Sequence, residues 1–277
     1  MTQTILITGT STGIGRASVK YFSERGWQVA ATMRNPGKET DMQTWPGVRL
    51  YQLDVTDTSS INAAFSAAVQ DLGTIDTICN NAGYGAVGIF EKATEEQIRK
   101  QFDTNVLGCM NVIRAALPYF RKSRKGLILN VTSMGGLVCF PLYSVYHGTK
   151  WAMEGFSESL AYELRPLGIR VKCIEPGSIK TDFNSRSQDL FINDRITDYD
   201  VYEKATYANT QKRATMSPGP EVVAKTIYRA ATDGKNRLRY TTDLQGSALL
   251  ALKRLLPNQW LFGMMRMIVE KGVKKRN

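Results

Sequence analysis

The stretch that decides the reading runs from residue 4 to residue 22, TILITGTSTGIGRASVKYF. A short apolar run breaks into Gly9, Gly13 and Gly15, and a helical pattern follows with no linker between them. Glycines placed between a strand and a helix imply that something approaches the backbone there. In this setting Gly9 allows a tight exit from the strand, Gly13 lets a pyrophosphate lie against the main chain, and Gly15 lets the helix pack close to the sheet. The helix N-terminus, with Thr12 and Ile14 in the same loop, offers free N–H groups and the positive end of a dipole to an anion. The competing reading is a glycine-rich turn that holds no ligand.

Outward from this loop, strand and helix signals alternate. Strand-like runs lie at 3–8, 28–33, 48–53, 75–80, 127–132 and 170–175. They are rich in Val, Ile and Leu and barely alternate, as strands covered on both faces should be. Helical patterns fill 14–25, 58–72, 94–122 and 144–166. This order predicts an α/β fold, a doubly wound parallel sheet with right-handed crossovers. Residues 182–217 lack clear periodicity and read as a substrate loop or lid, in which Phe183, Phe191, Tyr199, Tyr202 and Tyr207 make an aromatic surface. The expected organisation is one catalytic domain over 1–242 and a basic, amphipathic helical extension over 243–277.

Composition narrows the class. The chain has 277 residues, 43% of them apolar, enough for a substantial core. No window reaches the ~18 uninterrupted apolar residues of a membrane span. Ile5-Leu6-Ile7 is too short for the core of a secretion signal. Cys79, Cys109, Cys139 and Cys173 form no CxxC or Cys/His cluster, which fits buried thiols in a reducing compartment and no metal site. A cytoplasmic location is expected. The net charge of +11 is concentrated in the tail: from residue 250 onward seven basic residues face one acid. Charge alone raises a nucleic-acid partner, but no binding motif accompanies it.

The glycine spacing is TGxxxGxG, and further motifs follow it: LDV (53–55), NNAG (80–83), TNVLG (104–108), VTS (131–133), YHGTK (146–150) and EPGSIKTD (175–182). In this order the sequence resembles the short-chain dehydrogenase/reductase family over about residues 3–232. With ATMRNP at 31–36 it is most similar to hydroxysteroid- and retinol-dehydrogenase-like members. The resemblance implies a Rossmann-type sheet and an oxidoreductase acting through a nicotinamide cofactor. It implies that Asp54 and Val55 hold the adenine and that Asn81, Ala82 and Gly83 line the cofactor cleft. Pro176, Gly177, Ile179 and Thr181 resemble the segment at the nicotinamide end. A homodimer or homotetramer formed through helices 94–122 and 144–166 is implied as well.

Tyr146 and Lys150 stand four apart, so one helix face presents both side chains. A free phenol, of pKa ~10, is a poor base at neutral pH, and a nearby ammonium is expected to bring it toward the working range. By resemblance Tyr146 is the general acid in carbonyl reduction and the base in alcohol oxidation, and Lys150 also holds the ribose hydroxyls. Ser133 orients the substrate oxygen, and Asn105 keeps a water relay to the lysine. His147, the chain's one histidine, lies beside Tyr146 on the helix and reads as structural or as a rim residue. Tyr143 is a rival for proton transfer but has no lysine four residues later.

The end of the second strand chooses the cofactor. It reads Thr32-Met33-Arg34-Asn35, with no acid before Glu39. Arg34 is placed to pair with a 2′-phosphate, and Arg16 is expected to reinforce it, so NADP is expected over NAD. The sequence therefore points to an NADP(H)-dependent enzyme interconverting a carbonyl and an alcohol on a bulky lipophilic substrate. The alternative is a cofactor-sensing protein of the same fold without catalysis. The tail reads either as helices packed on the domain or a second subunit, or as an interfacial lid meeting anionic lipid.

Overall fold

The computed structural model describes residues 2–181 and 188–269. Seven strands form one parallel sheet in the order β3-β2-β1-β4-β6-β7-β9. They are β1 (Thr4–Thr8), β2 (Gln28–Met33), β3 (Val48–Gln52), β4 (Thr77–Asn80), β6 (Gly126–Val131), β7 (Ile169–Glu175) and β9 (Arg239–Thr241). The chain winds outward from β1 through β2 to β3, then crosses back to place β4 on the other side of β1. That reversal opens a crevice at the carboxyl ends of β1 and β4.

Helices cover both faces because the strand side chains alternate between two cores. Ile5 and Ile7 of β1 pack with Val19 and Phe22 of α1 (Gly13–Ser23) and with Val223 and Ile227 of α7 (Glu221–Thr232). Leu6, between them, faces the other way. It packs in a cluster with Ile61 and Phe65 of α2 (Thr58–Leu72), Val112 and Phe120 of α4 (Gly108–Ser123) and Leu160 of α5 (Ser144–Leu164). A strand with two-residue periodicity and two apolar faces must be covered twice.

Two departures from the sequence reading, and the form of the tail, bear on the site. The helix expected over 94–122 is interrupted: α3 (Glu95–Phe102) passes through one π turn (Asp103–Leu107) into α4. Gly108 sits so close to Val55 that a Cβ there would lie 2.8 Å from its Cγ2, so the helix enters tight against the cleft. The segment 182–217 is not unstructured throughout: β8 (Gln188–Leu190) pairs with β5 (Gly85–Val87), and α6 (Asp200–Thr215) follows. Lys92 fastens the start of α6 by ion pairs to Asp200 and Glu203, at 3.1 and 2.7 Å. Finally, the tail forms α8 (Leu244–Leu255) and α9 (Asn258–Val269), divided at Pro257. Among the described residues no helix is long and apolar enough to cross a membrane.

Candidate active site

A cavity of about 1510 Å³ opens at the carboxyl ends of the central strands. Single-ligand pockets occupy ~300–1,000 Å³, so this one has room for a dinucleotide and a second molecule. It brings together Gly9, Thr12, Gly13, Ile14, Arg34, Asp54, Val55, Asn81, Ala82 and Gly83 on one side. Ser133, Tyr146, Lys150, Pro176, Gly177 and Ile179 line it as well, and Thr181 meets the loop at Gly13.

The glycine loop is held by side chains bonded to main chain. Gly9 has φ +69°, and a Cβ there would lie 2.8 Å from Ala82 Cα. A side chain at Gly15 would run into the Gly9 carbonyl, so Gly15 serves the loop's closure and stays out of the cavity lining. Asn81 donates its amide to the carbonyls of Thr8 and Gly9, both at 3.0 Å. The Thr8 hydroxyl accepts the N–H groups of Asn81 and Ala82. Thr12 caps α1 without a side-chain hydrogen bond, and no acid occupies the first turn. The first N–H groups of an 11-residue helix are thus left for an anion, and the residues fit a dinucleotide's pyrophosphate.

Farther along, burial raises the Asp54 carboxyl, but the N–H and hydroxyl of Thr56 and the charge of Arg34 outweigh it and hold the group below its ordinary value. Arg34 is exposed on the cavity wall. Arg16 does not join it. Its guanidinium pairs with Glu39 at 2.5 Å and Asp41 at 2.8 Å and lies over the Trp45 ring. The expectation that Arg16 reinforces a phosphate contact is corrected by this pairing. The same pairing turns Glu39, the first acid after β2, away from the cavity.

Tyr146, Ser133 and Lys150 meet on the opposite wall. Ser133, at the end of β6, is hydrogen-bonded to Tyr146 and accepts the Gly135 N–H at 2.9 Å. Lys150 donates to the Val131 carbonyl at 2.9 Å, and its Nζ lies 5.7 Å from the Tyr146 ring centre. Burial pushes the Tyr146 phenol up to about 12, against the lowering effect of Ser133. Burial also pulls the Lys150 ammonium down to about 8. The expected lowering of Tyr146 is therefore corrected: burial penalises the phenolate, and the group that opposes it is Ser133 and not Lys150.

Asn105 is the candidate that the structure sets apart. Its side chain is buried behind the wall, donating to the Tyr84 carbonyl at 2.9 Å and Thr149 Oγ1 at 3.3 Å. It does not line the cavity, so it acts on the site through Tyr84 and the residue next to Lys150. His147 is buried, its Nε2 accepting the Phe140 N–H at 3.0 Å, and burial pulls it down to about 4. A neutral imidazole held this way braces the loop after β6. The rival Tyr143 is engaged with Gln188, while Lys150 sits beside Tyr146.

The segment 188–217 lines the cavity, but its described aromatic residues, Phe191, Tyr199, Tyr202 and Tyr207, are not part of that lining. Phe191 is buried beside Gly88, and Tyr199 bonds Glu91 at 2.8 Å outside the cavity. Phe183 falls outside the described residues. The cavity face of α6 carries Thr206, Asn209 and Thr210 instead. Apolar lining comes from Phe140, Pro141, Met216 and Leu249. Asp243, Gly246 and Leu249 bring α8 into the wall, residues that the motif reading passed over although Asp243 carries a legible N-cap signal. Cys139 is exposed, unlike the other three thiols, and all four are free. Among the described residues no group of three His, Cys, Asp or Glu side chains could hold a metal.

The family model for short chain dehydrogenases matches residues 3–190, which include the glycine loop and the Tyr146/Lys150 pair. The chain belongs to the short-chain dehydrogenase family. This dehydrogenase is 38% identical to a 3-ketodihydrosphingosine reductase of Bacteroides thetaiotaomicron over 71% of each chain. It is 32% identical to retinol dehydrogenase 8 of Bos taurus over 94% of its own length and 88% of that protein's. Among solved structures, a short-chain dehydrogenase from Streptomyces avermitilis superposes with a TM-score of 0.82 at 28% identity, covering 99% of both chains. ElxO with NADP bound superposes with a TM-score of 0.70 at 27% identity, covering 87% of this chain and 98% of that one.

Proposed function

We propose that this short-chain dehydrogenase is an NADP(H)-dependent oxidoreductase interconverting a carbonyl and an alcohol on a bulky, lipophilic substrate. The observation that carries the reading is the meeting of Tyr146, Ser133 and Lys150 across one cavity from the open N–H groups of the glycine loop. When bound, the nicotinamide supplies or accepts the hydride. The chain's own residues do the rest. The Ser133 hydroxyl orients the substrate oxygen. Tyr146, protonated at neutral pH, gives that oxygen its proton as the carbonyl is reduced, so the resting site is set for reduction. Lys150 holds positive charge beside the phenol and would hold the ribose hydroxyls of a bound cofactor, and Asn105 acts as a positioning residue behind it.

Preference for NADP is supported by Arg34 on the cavity wall and by the withdrawal of Glu39 onto Arg16. The NADP held by ElxO agrees with that preference. The substrate end combines Phe140, Met216 and Leu249 with Thr206 and Asn209, which suits an apolar molecule carrying a polar group. The names of two relatives, a sphingoid ketone reductase and a retinol dehydrogenase, point the same way. Free thiols support a cytoplasmic setting, and exposed Phe102, Leu107, Tyr119 and Tyr162 on α3, α4 and α5 and the turn between α3 and α4 support a face for a second copy.

The test is to follow NADPH and NADH oxidation over ketones, aldehydes, steroids, retinoids and sugars. The reading expects turnover of a large apolar carbonyl with NADPH ahead of NADH. Tight NADPH binding with no turnover of any member would instead favour the cofactor-sensing protein.

A further inference from the structure

We propose that the outward face of α9, with the end of α8, is a docking surface for an anionic lipid bilayer that brings apolar substrate to the cavity mouth. That the surface binds lipid follows from the surface itself. That it feeds the cavity rests on the lipophilic-substrate reading above.

A helix packed on a domain ordinarily hides its large apolar residues and shows charged ones. Here α9 shows large apolar residues as well as a charged one. Leu261 is buried, while Trp260, Phe262 and Met267 are 70%, 72% and 73% exposed. Trp260, Gly263 and Met267 succeed one another at i, i+3 and i+7, and Phe262 and Arg266 lie alongside at i, i+4, so they share one outward arc. Leu255, closing α8 two residues before Pro257, is 80% exposed as well. Contiguous exposed apolar surface of this kind marks an interaction site.

Charge chooses the occupant. Residues 244–269 contain Lys253, Arg254 and Arg266 and not one Asp or Glu. Lys253 is committed inside the fold, bonded to the Leu137 carbonyl and lying 4.5 Å from the Trp151 ring centre. Beyond α9 the sequence continues with one acid, Glu270, and four basic residues, Lys271, Lys274, Lys275 and Arg276. A second copy placed here about a two-fold axis would oppose two faces with an excess of basic residues, and like charges repel. An anionic headgroup layer complements them, and a Trp-bearing apolar arc fits the headgroup–acyl boundary.

Continuity with the cavity gives the surface its purpose. The helix α8 that leads into α9 lines the cavity through Asp243, Gly246 and Leu249. Met216, another lining residue, is 83% exposed and so stands at the mouth. An apolar molecule leaving a bilayer at this face meets the cavity wall without crossing open water.

The full chain is sedimented with vesicles of equal parts phosphatidylcholine and phosphatidylserine, and with phosphatidylcholine alone, at low and high salt. Binding to the anionic vesicles alone, reversed by salt, is the expected result. The double variant Trp260→Ser/Phe262→Ser is expected to weaken binding about tenfold or more, and Arg266→Glu less. Turnover of a vesicle-borne apolar ketone by the double variant should fall with binding, while NADPH affinity and turnover of a small soluble ketone stay at wild-type values. Both substitutions lie at exposed positions, and unchanged NADPH affinity certifies the fold. No binding at low salt overturns the proposal, as does equal binding to both vesicle types or binding indifferent to the double variant. A double variant that dissociates a wild-type dimer, with no vesicle binding by either, assigns the face to a second copy. If the wild type binds anionic vesicles but reduces no carbonyl, the functional reading fails while the lipid surface stands.

Discussion

The two walls of the cavity are made differently. The wall at β1 and β4 is main chain: glycines leave no side chains, and Thr8 and Asn81 spend their polar groups bonding carbonyls and N–H groups of the loop. The wall at α6 and α8 is side chain: Thr206, Asn209 and Leu249 project from helices held by ion pairs and a cap, and Met216 from the turn after α6. A phosphate is read by backbone dipoles that any sequence of the right shape supplies. An individual substrate is read by side chains that must be chosen one at a time. The first wall can stay fixed while the second changes, which separates chemistry from specificity. Between them stand Tyr146 and Lys150.

The largest effect should come from a residue that stands between these walls. Tyr146→Phe deletes the transferable proton and leaves the ring, so kcat should fall ~10²- to 10⁴-fold while NADPH affinity stays. Retention of even a tenth of the wild-type rate would remove Tyr146 from proton transfer. Lys150, pulled down to about 8, loses its charge as pH rises through that value. Turnover should therefore decline on the alkaline side near pH 8.

Next comes the brace behind Tyr146. The folded pKa of His147 is depressed to about 4 from an ordinary 6.5. The unfolded chain thus binds the proton more readily between these values, and stability is full above pH 6.5 and lost as pH falls toward 4. The difference corresponds to about 3 kcal/mol at most. Thermal unfolding of wild type and His147→Gln across this window should show the gap between them narrowing as pH falls. A pH-independent gap would show that the imidazole does not titrate with unfolding.

How far each wall was legible follows from how it is made. Each expected strand appears within two residues of its place, because a buried parallel strand must be a short apolar run. The glycine loop was legible for the same reason: backbone geometry leaves its mark in which side chains are missing. The strands β5, β8 and β9, three residues each, are too short to show a period. Helix α6 escaped because its cavity face is Thr206, Asn209 and Thr210, which breaks the apolar stripe that announces a helix. Spacing gave no sign that Glu39 and Asp41 would capture Arg16. Nor does a motif reveal burial, and burial decides that Tyr146 is raised where a neighbouring lysine alone would lower it.

On the main-chain wall, Arg34 is the side chain proposed to discriminate cofactors by its charge. Arg34→Asp should weaken NADP binding and favour NAD. Losing a charge-assisted hydrogen bond costs ~1.5–3 kcal/mol, and the exposure of Arg34 puts the effect nearer the lower figure, about tenfold in affinity. Unchanged relative affinities for NADP and NAD in a titration would release Arg34 from that role.

The smallest effects test whether the side-chain wall is the one described. Leu249 lines the cavity, whereas Tyr199, from the segment expected to form an aromatic lid, bonds Glu91 outside it. Leu249→Ala removes part of an apolar contact worth about 1 kcal/mol to a bulky substrate, or roughly fivefold in KM. Small substrates that do not reach α8 should be unaffected. Tyr199→Phe removes one exposed hydrogen bond, costs under ~1 kcal/mol of stability, and should leave KM unchanged for large and small substrates alike. The two variants are informative as a pair, since both alter a side chain near the substrate end and only one borders the cavity. If Tyr199→Phe raised KM for bulky substrates and Leu249→Ala did not, the lid would close over the cavity through the aromatic segment. The wall would then be made of residues 188–199 and not of α8.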